Sequence, residues 1–218
     1  MRRTLVCSLL VVALSTIVPA AAFADSVSWG VFNHAGSNPF GSPSGEQAVM
    51  FSVGASGSLN GSVYVIDGTT SSTHNTVGVS SANDQLFASG AELLIANPPH
   101  IIDTSLNELT ISVPGYTFTD SYMDLVGAFT GTTSATVMVT LSDGTTLSHV
   151  YTGMTSADNW IFFESASGET IDSITISSRW SQIYQLHLSN LALVPTPEPA
   201  SFALFGTGLL FLVRRKRR

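Results

Sequence analysis

The stretch Ala135-Thr136-Val137-Met138-Val139-Thr140-Leu141-Ser142-Asp143-Gly144-Thr145-Thr146-Leu147-Ser148-His149-Val150-Tyr151 decides the fold. Val137, Val139 and Leu141 alternate with Thr136, Met138 and Thr140, the period of two that places one side-chain set on each face of a strand. Asp143-Gly144 interrupts the alternation, and such a dipeptide supplies the two positive-φ positions of a type I′ turn. Thr146 to Tyr151 then returns. With a two-residue turn, Met138 faces His149 and Val137 faces Val150 across the ladder.

The same signals recur on both sides. Ser26 to Phe32 reads as a first strand, and Gly36 to Gly45 as a loop. Ala48 to Val53 and Ser62 to Ile66 follow as strands, with Asp67-Gly68 as a turn. Thr76 to Ser80 and Glu92 to Ala96 are shorter candidates, and Asn97-Pro98-Pro99 breaks the chain. Glu108 to Val113 places Leu109, Ile111 and Val113 on one face before Pro114-Gly115 stops it. Tyr122 to Phe129, Trp160 to Glu164, Ile171 to Ser177 and Tyr184 to Leu193 complete the set. About ten short strands separated by turn residues predict an all-β body, a single antiparallel β-sandwich or jelly roll. A parallel β-helix is the rival, but its short regular repeat is missing.

The two ends read differently. Arg2 and Arg3 precede the apolar run Leu5 to Val18, and Ala22-Phe23-Ala24 is a small-x-small cleavage pattern. That is a secretory signal peptide over residues 1–24, with Asp25 the expected mature start. An uncleaved anchor is the alternative. Cys7 is the single cysteine and lies inside this segment, so the mature body is expected to fold without disulfides. At the other end, Val194-Pro195-Thr196-Pro197-Glu198-Pro199 leads into the apolar residues 200–213 and then Arg214-Arg215-Lys216-Arg217-Arg218. As a helix the apolar run spans roughly 21 Å, short of the roughly 30 Å hydrocarbon core, so it predicts a marginal transmembrane helix. The basic cluster is expected to stay on the cytoplasmic side.

Charge is divided to match. The chain holds 8 Lys+Arg and 15 Asp+Glu. Arg179 is the only basic residue between the two end clusters, whereas 14 acids lie between Asp25 and Val194, so the body 25–194 carries a net charge of −13. A surface of that sign has no footprint for nucleic acid.

The C-terminal residues carry a family resemblance. Pro197-Glu198-Pro199, Ala200-Ser201, the Gly206/Gly208 pair and the terminal basic cluster resemble the PEP-CTERM sorting segment of exported bacterial proteins, over residues 195–218. The segment is also labelled the C-terminal domain of ice-binding-like proteins, a name that is not an activity. The resemblance implies a membrane-anchored precursor recognised and cut near Pro197-Glu198-Pro199 by an exosortase-type membrane protease, then passed to the cell surface or extracellular matrix. A plain tail anchor is the alternative. The body, on Phe129 to Val194, resembles the Ser/Thr-rich β-sandwiches that precede such segments.

Chemistry in the body is sparse. His34, His74, His100, His149 and His187 are isolated, without the spacing of a metal site. No Gly-x-Ser-x-Gly and no phosphate loop occur, and catalytic residues are none. Asp120 and Asp124 are the candidates for a Ca²⁺ site; no other cofactor or metal is expected. Trp160, inside Trp-Ile-Phe-Phe, reads as buried. Trp180, beside Arg179 in a Ser-rich turn, is the candidate exposed aromatic for a glycan contact. The expectation is a non-catalytic structural or carbohydrate-contacting module. A secreted glycan hydrolase, with two carboxylates in a cleft, is the alternative. An ice-binding protein, through the Thr-rich strand at 130–140, is the remote one.

Overall fold

The computed structural model describes residues 26–33, 39, 44–96, 106–128, 133–166 and 168–194. The expected signal peptide with Ala22 and Ala24, the segment with Pro197, Glu198 and Pro199, the helix 200–213 and the cluster Arg214, Arg215, Lys216, Arg217 and Arg218 lie outside these residues. Among the described residues no helix is long and apolar enough to cross a membrane.

Described secondary structure is strand throughout. In chain order the strands are β1 Val27–Asn33, β2 Glu46–Phe51, β3 Ser58–Asn60, β4 Val63–Thr70, β5 Thr76–Ser81, β6 Leu86–Gly90, β7 Leu93–Ala96 and β8 Leu106–Ser112. They continue as β9 Tyr116–Thr117, β10 Asp120–Ala128, β11 Ser134–Leu141, β12 Thr146–Thr152, β13 Asn159–Ser165, β14 Ile171–Ser189 and β15 Ala192–Leu193. Thirteen of them form one sheet and β9 with β15 a second, small one. The all-β expectation holds. The hydrogen bonding, however, draws one continuous curled sheet instead of the two separate sheets of a sandwich.

The reason is β14, which is 19 residues long. Its first half pairs with β11 and β8, and its second half with β10, β7 and β2. Because β8, β5, β4 and β2 link in series, the sheet leaves β14 at one end and rejoins it at the other, a barrel-like closure. Register shifts at Ser177/Trp180 and opposite Tyr122/Asp124 let β14 bend between its partners, as bulges do. Gln185 sits at the second shift with φ +50°. The sequence pattern divides β14 into two strands with a turn at Arg179-Trp180, and the structure joins them. The bulges break its period of two, and that break looks like a turn.

Inward residues fill a single core. Leu109, Ile111, Val137, Val139, Ile174 and Ile176 are fully buried on the first half, and Met123, Leu125, Ile161, Phe163 and Leu188 on the second. Burying such side chains contributes about 1.5–3 kcal/mol each, which stabilises a chain whose described body has no cysteine.

Two turn expectations are corrected. Asp67-Gly68 is not a turn but the middle of β4, where Gly68 pairs with Phe51. A Cβ on Gly68 would lie 2.7 Å from Val49 Cγ1 and 2.8 Å from Phe51 Cε1, so glycine there admits the neighbouring side chains. In the β11–β12 hairpin only Gly144 has positive φ, at 91°. Its N–H donates to the Leu141 carbonyl at 2.9 Å, and the Asp143 carboxylate accepts the Thr145 N–H at 2.8 Å. This is the three-residue type I loop with a glycine bulge, not type I′. The register therefore moves by one: Val137 pairs with His149 and Met138 with Ser148. His149, not Val150, turns inward, and Val150 is left 53% exposed.

Candidate functional site

Cross-strand pairing assembles a polar and aromatic face that no sequence spacing announces. Over β2, β14, β10, β13 and β1, lateral neighbours share a face. One row reads Glu46, Ser189, Asp120, Glu164, Ser28. The next reads Ala48, His187, Tyr122, Phe162, Gly30. A third reads Tyr184, Asp124, Trp160, Phe32. The bulge at Gln185 brings both Tyr184 and His187 onto this face, since one extra residue restores the orientation that alternation would reverse.

The centre of the face is a buried cluster. The Tyr122 hydroxyl donates to Glu46 Oε1, and His187 Nδ1 lies 2.5 Å from the same oxygen. The Tyr122 and His187 rings stack with centroids 4.5 Å apart, and Trp160 packs against Tyr122 at 6.1 Å. Burial lowers the His187 pKa and outweighs the raising effects of Glu46 and Glu92. The imidazole is thus kept neutral beside a carboxylate.

Asp124 lies on the same strand as Tyr122. Its carboxylate accepts the Asn159 N–H at 2.9 Å. Burial, reinforced by Asp158, raises its pKa from 3.8 to about 7, against the Asn159 hydrogen bond, which lowers it. Asp120 is 5% exposed and Asp124 3%. Four residues of strand place their Cα atoms about 13 Å apart, too far for the two carboxylates to meet on one Ca²⁺. The expected pairing of Asp120 with Asp124 as one cation site is therefore not formed. Among the described residues no three His, Cys, Asp or Glu side chains gather as a metal-ligand group.

Trp180 is also corrected as an exposed glycan contact. It lies within β14, opposite Leu106 and Ala128, and is 2% exposed in the core. Trp160 is buried, at 2% exposure, but against Tyr122 on the polar and aromatic face and outside the core cluster that holds Ile161 and Phe163. His149 stacks on Trp29, and His74 is an exposed turn residue with φ +57°. His34 and His100 lie outside the described residues. Glu46, Tyr122 and His187 escape sequence reasoning as a group, because 76 residues separate the Tyr122 hydroxyl from its acceptor.

A second surface lies on the outer side of β12, β11, β14, β8 and β5. One row runs Ser148, Met138, Thr175, Thr110, Ser80, and another Thr146, Thr140, Ser173, Ser112, Gly78. Thr110 and Thr175 hydroxyls hydrogen-bond across the ladder at 3.0 Å. Neighbouring hydroxyls repeat at about 4.8 Å across strands and about 6.7 Å along them.

Residues 195–218 match the family model of the PEP-CTERM protein-sorting motif. The chain carries a PEP-CTERM sorting signal. No curated protein and no solved structure matches the chain. The PEP-CTERM motif marks a secreted protein whose membrane-anchored sorting signal is recognised by an exosortase, a membrane protease.

Proposed function

We propose that the body is a non-catalytic module which exosortase-dependent sorting delivers to the cell surface or extracellular polysaccharide, and which contacts that matrix through its hydroxyl-covered sheet face. The observation that carries this reading is the array of Ser and Thr side chains over five strands, interrupted only by Met138 and Gly78 in the two rows. Sugar hydroxyls are met by donors and acceptors at regular spacing, and a Ser or Thr hydroxyl is both. Residues that flank the array, Glu108 and Asp67, keep carboxylates at its rim. The test uses mature protein purified from its host and the host's own polysaccharide. Thr136→Lys with Ser148→Lys, both exposed positions, is expected to abolish co-sedimentation at unchanged melting temperature. Retained binding would refute the face as the contact. Freezing-point depression by the same protein would move the reading to ice.

A hydrolase reading has one observation in its favour. Asp120 and Glu164 are cross-strand neighbours, and Glu164 with Ser28 lines an open groove of about 340 Å³. Cross-strand neighbours have Cβ atoms about 4.5–5.5 Å apart, a spacing compatible with the roughly 5–5.5 Å carboxyl pair of retaining glycosidases. Reducing-sugar release lost in Glu164→Gln would favour it over the binding module.

A further inference from the structure

We infer that Glu46, Ser189 and Asp120 form an oxygen site for a hard divalent cation of the Ca²⁺ type. Ser189 is the pairing partner of both Glu46 on β2 and Asp120 on β10, so the three side chains lie abreast on one face of the sheet. Each carries a buried oxygen without a hydrogen-bond partner: Glu46 Oε2, Ser189 Oγ and Asp120 Oδ1. Ser189 is 1% exposed and Asp120 5%. A single unpaired buried acceptor leaves its desolvation uncompensated. Three in adjacent positions, two of them on carboxylates, mark a place built for something to which all three can donate electron pairs.

The surroundings select a cation over further protein donors. The other oxygens of the two carboxylates are already engaged: Glu46 Oε1 by Tyr122 and His187, and Asp120 Oδ2 by the Thr119 hydroxyl at 2.9 Å. Thr119 is held in turn by the Asn190 side-chain amide at 3.0 Å. These outer contacts orient the ligands and leave the unpaired oxygens available. No Lys or Arg lies in the body apart from Arg179, which is on the other half of β14 from Ser189. The donors are all oxygen, the preference of Ca²⁺ over transition metals. Glu164 continues the same row beside Asp120 and opens onto the groove with Ser28 and Ser26, which offers an entry path. With few anionic ligands, the affinity belongs in the range of about 10⁻⁴–10⁻³ M seen for extracellular modules.

Terbium luminescence tests this directly, because Tyr122 is hydrogen-bonded to a ligand and can sensitise a bound lanthanide. The full chain, solubilised in detergent, is expected to give saturable Tb³⁺ emission on excitation of its aromatic rings, displaced by Ca²⁺ and not by Na⁺. Ca²⁺ at about a hundredfold excess over its Kd should raise the melting temperature by about 5 °C relative to EDTA. Ser189→Ala and Asp120→Asn should each weaken Tb³⁺ binding about tenfold or more, while Asp143→Asn, in the exposed hairpin turn, should leave it unchanged. Near-ultraviolet circular dichroism identifies folded variants, and Ser189→Ala removes only one hydroxyl. The inference is overturned if emission is absent or unsaturable, or if Ser189→Ala and Asp120→Asn bind Tb³⁺ as the parent does. It is equally overturned if Asp120→Asn raises the melting temperature in EDTA and Ca²⁺ adds nothing to the parent, since a proton then fills the role.

Discussion

Trp29 on β1 stacks on His149 on β12 with ring centroids 5.2 Å apart and planes 14° apart. Each of these strands pairs with one neighbour alone among the described residues, β1 with β13 and β12 with β11, and they do not pair with each other. The rings therefore join sheet edges that the backbone leaves separate. Tyr151 adds to the seam, packing edge-on to His149 at 4.7 Å and donating its hydroxyl to the Phe162 carbonyl at 2.8 Å. Trp29→Ala is expected to destabilise the fold by about 3 kcal/mol. A Trp29→Ala/His149→Ala cycle in urea should give a coupling of about 0.5–1.5 kcal/mol. Additive losses would show that the stack contributes only its buried area.

That stack also shows how far the sequence could be read. The alternation in β11 was legible, and Val137, Val139 and Leu141 are buried as expected. So were Leu109, Ile111 and Val113 around β8. The partner of each was not, because register depends on one loop residue: Asp143 spends its carboxylate on the Thr145 N–H and keeps negative φ. The candidate cation site was legible in one member, Asp120, but not in its partners. Ser189 and Asp120 are 69 residues apart in the chain, and only strand pairing makes them neighbours. The sorting motif at 195–218 was legible from local composition alone, since its recognition depends on the order of proline spacer, apolar run and basic cluster and not on packing.

Gly68 separates a packing role from a turn role. Were it a turn residue, alanine would cost only the positive-φ penalty, but its φ is not in that region. An added methyl instead meets Val49 and Phe51. Gly68→Ala is expected to cost about 1–3 kcal/mol by overpacking, and Gly68→Ala with Val49→Ala should recover part of that loss. Equilibrium denaturation of the two variants checks both signs.

Trp180 distinguishes core from contact. With 2% exposure, Trp180→Ala should lower stability by about 3–5 kcal/mol. Trp180→Phe, which also removes an indole N–H buried without a partner among the described residues, should cost far less. Polysaccharide co-sedimentation of the folded Phe variant is expected to equal that of the parent.

Asp124 sets a pH dependence whose sign is opposite to that of an ordinary paired carboxylate. Its folded pKa is raised from 3.8 to about 7, mainly by burial. Between these values the folded chain holds a proton that the unfolded chain releases. The contribution is thus fully present below the unfolded pKa and is lost as pH rises through about 7. His187 acts the other way: its lowered pKa, caused first by burial, contributes stability that is present above 6.5 and lost as pH falls below that value. Asp124→Asn retains an acceptor for the Asn159 N–H and removes the ionisation. Between pH 5 and pH 8 it should gain about 1–2 kcal/mol on the parent, less than the roughly 1.36 kcal/mol for each pH unit between 5 and 7 that the full shift implies. Urea denaturation at the two pH values reads the difference, and His187, common to both proteins, cancels. A variant less stable than the parent at pH 8 would show that Asp124 is ionised in the fold and held by Asn159.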